Sequence, residues 1–201
     1  MRTPLKNALF LIAAGALSTG AMAHTGHGTE SFMEGLAHPW GADHLLAMLA
    51  VGVWSVAALP AQKAWQGPAT FLLALVLSAM LGASGVTLPF LEHAVALSVV
   101  LFGAMLIVAT PPASVRMPKT VGLGLIATAA SLHGLAHGAE TPETGFAGYA
   151  IGFLLTTAVL HLGGVGLGLS IRRWLAARSS VVLGSLGAAL GFAGVYLFTQ
   201  V

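Results

Sequence analysis

Apolar residues run along this chain in about six long stretches, separated by short polar or turn-forming joins. Each stretch is close to the roughly 20 residues an α-helix needs to cross hydrocarbon. The pattern predicts helices at about Leu36–Leu59, Pro68–Val86, Pro89–Ala109, Val121–His137, Phe146–Ile171 and Val181–Phe198. Pro39, Pro68 and Pro89 fall where a helix tolerates proline, near its first turn. The join Val86-Thr87-Leu88 is so short that its turn is the least defined. Ahead of these runs, Arg2 and Lys6 precede an apolar stretch from Ala8 to Leu17 and a small-residue site at Ala21-Met22-Ala23. That is the build of a signal peptide over residues 1–23, the alternative being an uncleaved first span. The expected fold is all-α: a polytopic membrane bundle of about six transmembrane helices. Residues 24–201 would form one domain with a short His-containing outer tail.

Composition points the same way. The chain is 57% hydrophobic and only 7% charged, with mean hydropathy +0.90. A water-facing surface needs about 25% charged residues, so the lipid bilayer is the solvent. A pI near 9.4 rests on eight Lys and Arg, too few and too scattered for nucleic-acid binding. Cysteine is absent, which removes disulfides and thiolate ligands. The small-residue pairs Gly134/Gly138, Gly164/Gly168 and Gly187/Gly191 suggest close helix crossings. They leave open whether the chain forms a homo-oligomer.

Beyond the leader, the basic residues are Lys63, Arg116, Lys119, Arg172, Arg173 and Arg178. All fall in the first-to-second, third-to-fourth and fifth-to-sixth joins. The positive-inside rule makes those joins cytoplasmic. Both mature termini then lie outside the cytoplasmic membrane of a bacterium, in agreement with an export signal.

With that topology the intramembrane polar groups gather on the outer side. His38, Asp43 and His44 open the first run, while His133, His137 and Glu140 close the fourth. Ionisable groups are expensive in hydrocarbon, on the order of 2.5–3.5 kcal/mol for Asp at a helix centre, and their presence there marks function. His133, His137 and Glu140 follow one another at four and three residues and so line one helix face. Two imidazoles and a carboxylate suit a borderline divalent ion such as Ni²⁺, Co²⁺, Zn²⁺ or Cu²⁺; a polar helix end in contact with water is the plainer alternative. In a straight helix His38, Asp43 and His44 cannot all face one point. His38 is expected to cap the helix entrance, with Gly41 admitting a neighbouring helix. Asp43 is either a direct ligand or an acceptor that orients an imidazole, a packing pair with His44 being the alternative. Weaker candidates are Glu92 and His93 at the start of the third run, His24 and His27 in the tail, and His161. The last lies roughly 15 residues into its run, about mid-bilayer at 1.5 Å per residue. The first and fourth runs are expected to pack together, so that Asp43 or His44 completes the site of His133, His137 and Glu140.

The segments His38-Pro39-Trp40-Gly41-Ala42-Asp43-His44 and His133-Gly134-Leu135-Ala136-His137-Gly138-Ala139-Glu140 resemble the paired motifs of the HupE/UreJ family of hydrogenase and urease accessory membrane proteins. Leu132 stands where that family has Phe, a change that leaves every ligand in place. The resemblance implies a nickel permease, not an enzyme, that supplies nickel enzymes and carries no prosthetic group. It implies metal handling at His38, Asp43, His44, His133, His137 and Glu140, with Co²⁺ or Cu²⁺ as alternative ions.

Two enzyme-like or electron-transfer readings compete. Gly82-Ala83-Ser84-Gly85 and His161-Leu162-Gly163-Gly164 are similar to elements of rhomboid intramembrane proteases, with Ser84 activated by His161. Several helices bearing His could instead hold haem, although the neighbouring carboxylates favour a hydrated cation. Gly122-x-Gly124 lacks the Lys and Ser/Thr of a phosphate-binding loop.

Overall fold

A computed structural model describes residues 32–110, 117–140 and 146–201. The predicted signal peptide, His24, His27 and Arg116 lie outside them. The described residues form α1 (Phe32–Ala37), α2 (Ala42–Ala58), α3 (Gln66–Ala83), α4 (Leu91–Val108), α5 (Lys119–Ala139), α6 (Phe146–Trp174) and α7 (Ser179–Phe198), with no strand among them. From α3 onward every helix end falls within three residues of the hydropathy reading. Five helices are each long and apolar enough to cross a membrane, and α1 with α2 pass that test as a bent pair. The protein is a polytopic helical membrane bundle.

The first run is not one helix. A 3-10 turn at His38–Trp40 follows α1, and the axis bends by 74° before α2. Pro39 restricts the residue before it and cannot donate to the helical ladder. Gly41 then takes an extended conformation (φ −51°, ψ 141°), and α2 restarts with Leu45 N–H donating to Gly41 O at 2.9 Å. The α3–α4 join is also defined. Gly85 adopts φ 92° and Val86 N–H donates to Leu81 O at 3.1 Å, closing α3 as left-handed glycine caps do. Phe90 enters α4 at φ 58°, an uncommon place for an aromatic residue.

Small residues decide which helices touch. A Cβ on Gly134 or Gly138 would run into the α3 backbone at Leu75 and Ala79, and one on Gly82 into Leu135 O. Helices α3 and α5 therefore pack in parallel at backbone contact. Gly52 lies against His161 O and Gly164, while Gly164 and Gly168 meet Leu49 and Val53, so α2 and α6 are also parallel. Gly103 meets Gly187, and Gly194 meets Val100 and Ala96, an antiparallel α4–α7 pair. Gly191 contributes its backbone, against Gly103, but a Cβ on it would meet open space. These directions are those of spans that alternate across a bilayer. They bring Lys63, Lys119, Arg172, Arg173 and Arg178 to one end of the bundle and His38, His44, His133 and His137 to the other.

Phe71, Phe102, Met48, Met105 and Ile126 fill the centre, fully buried with His133 and His161. Leu73, Leu77, Leu162 and Phe192 are exposed around the outside, as lipid-facing residues must be. Helix α6 has 29 residues, about 43 Å at 1.5 Å per residue. Its first turns back α1, through Gly152 against Phe32 O and Leu36 N, and its middle backs α2. The bend between α1 and α2 thus lies over Tyr149 and Phe153.

Candidate metal centre

The bend resolves the geometry that a straight helix forbids. It brings the His38 and His44 rings to 6.3 Å between centroids. His38 does not cap α2; its Nε2 lies 3.1 Å from His137 Nδ1. Gly41 admits no neighbouring helix either. A Cβ there would meet Asp43 Oδ1 at 3.1 Å and His38 O at 3.7 Å, so glycine keeps the corner open for the Asp43 carboxylate. Asp43 occupies the first turn of α2, where the helix dipole favours a negative charge.

Three imidazoles converge just inside this corner. His44 Nε2 is 2.7 Å from His137 Nε2 and 3.2 Å from His133 Nδ1. One nitrogen from each of the three lies within 4.8 Å of the others. A second group, His38, His137 and Glu140, meets the same limit and shares His137. Exposure falls steadily along the series: side chains are 36% exposed at Glu140, 14% at His137 and 3% at His44, and His133 is wholly buried.

What lies behind each ring fixes which nitrogen faces inward. Ser98 Oγ donates its single proton to Val95 O at 2.6 Å, so the 2.9 Å contact with His133 is His133 Nε2–H donating to Ser98. His133 Nδ1 is then a bare lone pair pointing at His44. Asp43 Oδ2 stands 3.5 Å from His44 Nδ1, and Glu140 Oε2 stands 3.5 Å from His137 Nδ1. Asp43 can accept from His44 Nδ1–H and so turn His44 Nε2 toward the centre, the arrangement by which proteins present imidazole to a metal, whereas His137 Nδ1 has His38 Nε2 as its nearer partner at 3.1 Å. Phe153 walls the group, its ring 5.8 Å from His44 and 5.1 Å from His137.

The first and fourth runs meet through side chains and not through their backbones. The main-chain neighbours of α2 are chiefly α6 and α4, and those of α5 are chiefly α3. His44 reaches across the gap, and Trp54 covers Gly122 further along. Gly122-x-Gly124 lies within α5, with Gly122 packed under Trp54 and Gly124 facing open space. Asp43, His44, His133, His137, Glu140 and His38 are therefore gathered at one place.

The weaker candidates divide. His93 lies edge-to-face against Phe90 and Phe198, at 6.0 and 4.9 Å, and among the described residues neither it nor Glu92 belongs to a group of three convergent ligands. His161 is buried in the middle of α6, whereas Ser84 is exposed at the end of α3 with its hydroxyl donating to Leu81 O. The structure does not bring this Ser–His pair together. Ser98, Phe71 and Phe153 escaped the sequence reading. Ser98 had one signal, as a lone hydroxyl within Ala94–Val108; the two phenylalanines had none.

A family model described as HupE / UreJ protein matches residues 12–197. The chain belongs to the HupE/UreJ family. Within it, Protein HupE of Rhizobium leguminosarum bv. viciae is 38% identical over 188 residues, covering 92% of this chain and 94% of that relative. No solved structure matches. The match covers both HupE/UreJ segments that build the imidazole cluster, the corner at His38–His44 and the stripe at His133–Glu140.

Proposed function

We propose that this HupE/UreJ chain is a permease for a divalent transition-metal ion, with Ni²⁺ as its cargo for nickel enzymes such as hydrogenase or urease. One observation carries the reading: a ring nitrogen from each of His44, His133 and His137 faces a common point, while Asp43 stands at the opposite nitrogen of His44 and Ser98 at that of His133. At 2.7 Å the His44–His137 contact is a hydrogen bond in which one nitrogen carries the proton, and a metal ion that displaced this proton would be held by all three rings. Neutral imidazoles suit Ni²⁺, Co²⁺, Cu²⁺ and Zn²⁺ more than Mg²⁺ or Ca²⁺. The shared His137 gives an ion two overlapping positions, an outer one with His38 and Glu140 on its Nδ1 side, which an ion occupies only when Nδ1 carries no proton, and an inner one with His44 and His133 on its Nε2 side. Handing an ion between them exchanges ligands one at a time. An inward-negative potential of 100 mV favours entry of a divalent ion by roughly 4.6 kcal/mol, from about 2.3 per charge, so no nucleotide is needed.

Titration calorimetry on purified protein with Ni²⁺, Co²⁺ and Cu²⁺, paired with uptake in cells lacking other nickel importers, tests the reading. Asp43→Ala is expected to weaken ion binding by about 10–100-fold, the usual effect of removing the partner that orients a metal-bound imidazole. Uptake should fall in step, with the protein still present in the membrane. Normal uptake by that variant would make Asp43 a packing residue.

Orientation follows from the same proposal, with the imidazole end outside. An impermeant thiol reagent added to whole cells should label Ser84→Cys and leave Lys63→Cys and Arg173→Cys untouched. Labelling of the last two from outside would invert the map.

A further inference from the structure

Among the described residues two buried side-chain polar atoms lack a hydrogen-bond partner, Tyr149 Oη and His161 Nε2. His161 is wholly buried, and this nitrogen has no hydrogen-bond partner. Its other nitrogen, Nδ1, lies 2.8 Å from Thr157 O. A carbonyl can only accept, so Nδ1 carries the proton and Nε2 is a bare lone pair. Burying such an acceptor unsatisfied costs on the order of 1–3 kcal/mol. A packing histidine would use that atom; this one holds it open.

Its surroundings connect it to the outer cluster. The Phe71 ring lies between the two, 5.7 Å from His133 and 4.8 Å from His161 by ring centroids. Beyond His161 this face of α6, at Gly164 and Gly168, is closed by α2 at Leu49, Val53 and Val56, so passage toward the basic end needs α2 and α6 to part. Gly168 borders a cavity of about 220 Å³ at the basic end, beside Arg172 and Ser179. The Nδ1–H to backbone carbonyl arrangement is also the one that presets an imidazole for a metal through Nε2.

We infer that His161 Nε2 is a second, inner ion station, taking a divalent transition-metal ion from the His44–His133–His137 cluster past Phe71 on its way to the basic end. A single imidazole makes a weak station, which suits release: conduction needs binding strong enough to admit the ion and weak enough to let it go. The inference rests on reading the outer cluster as an ion site.

Two variants separate a station from a structural histidine. Asn at position 161 keeps a donor near Nδ1 and lacks the Nε2 acceptor; Gln places an amide oxygen close to Nε2. In proteoliposomes His161→Asn is expected to slow Ni²⁺ uptake by at least about tenfold, the effect of raising one barrier by about 1.4 kcal/mol. Calorimetric Ni²⁺ affinity should stay within about twofold of the parent, because the outer cluster is intact. His161→Gln should recover part of the rate. Uptake by His161→Asn at the parental rate overturns the inner station, and so does loss of outer-site affinity or failure of both variants to accumulate folded. If His44→Ala binds Ni²⁺ like the parent, the outer site itself is wrong, an outcome read from a different variant.

Discussion

His44→Ala is expected to reduce Ni²⁺ affinity by more than about 100-fold, exceeding the 10–100-fold effect of disturbing an orienting partner. His44 is the middle of the three imidazoles, its Nε2 facing both His137 and His133, so its removal dismantles the group. Adding His137→Ala should cost little more, since residues holding one ion are non-additive when removed together. Losses that simply add would mean two independent sites. Thermal melting gives a second readout. A ligand at 100 times its Kd stabilises the folded state by about 2.7 kcal/mol, so the parent should melt higher with Ni²⁺ present. His44→Leu should lose that rise.

How much of this was legible follows from which forces act locally. Helix positions were readable because the bilayer sets a length and a composition for each span independently of its neighbours. His133 and His137 were readable as a pair because four residues on one helix is a local geometry. The corner at Gly41 was half legible: the mismatch of His38 and His44 on a straight helix signalled a problem, and the Pro39–Gly41 segment held its solution. Ser98 was hidden because its role is defined by a proton donated to Val95 O and a contact from another helix. The pairing of α2 with α6 and α3 with α5 was also hidden. Gly52, Gly82, Gly164 and Gly168 look alike in sequence to Gly124 and Gly184, which face open space. Hydropathy tells a lipid-facing position from a polar one, but it cannot tell a lipid-facing glycine from one against a backbone.

That last distinction yields a large stability effect within a single helix. Gly164 and Gly166 are two residues apart on α6. A Cβ at 164 would meet Leu49 Cα at 2.9 Å and Leu49 C at 3.0 Å, while one at 166 meets nothing within 4 Å. Backbone cannot swing aside as a flexible side chain can, so Gly164→Leu must push α2 away from α6. Overpacking a close-packed site costs typically about 1–3 kcal/mol. Parting a helix pair held by close backbone approach also gives up van der Waals contacts that lipid does not replace. Gly166→Leu adds apolar surface facing lipid and should change stability by less than about 0.5 kcal/mol, as surface substitutions usually do. Melting in detergent should therefore fall steeply for Gly164→Leu and stay near the parent for Gly166→Leu. The same change reaches the ion site. Helix α2 carries Gly52 and Leu49 against α6, and it carries His44 five residues before Leu49. A shift of α2 carries His44 away from His133 and His137. Any Gly164→Leu protein that folds is then expected to bind Ni²⁺ more weakly than Gly166→Leu, with every ligand still present. Equal stability and equal affinity in the two variants would contradict the α2–α6 packing on which the cluster depends.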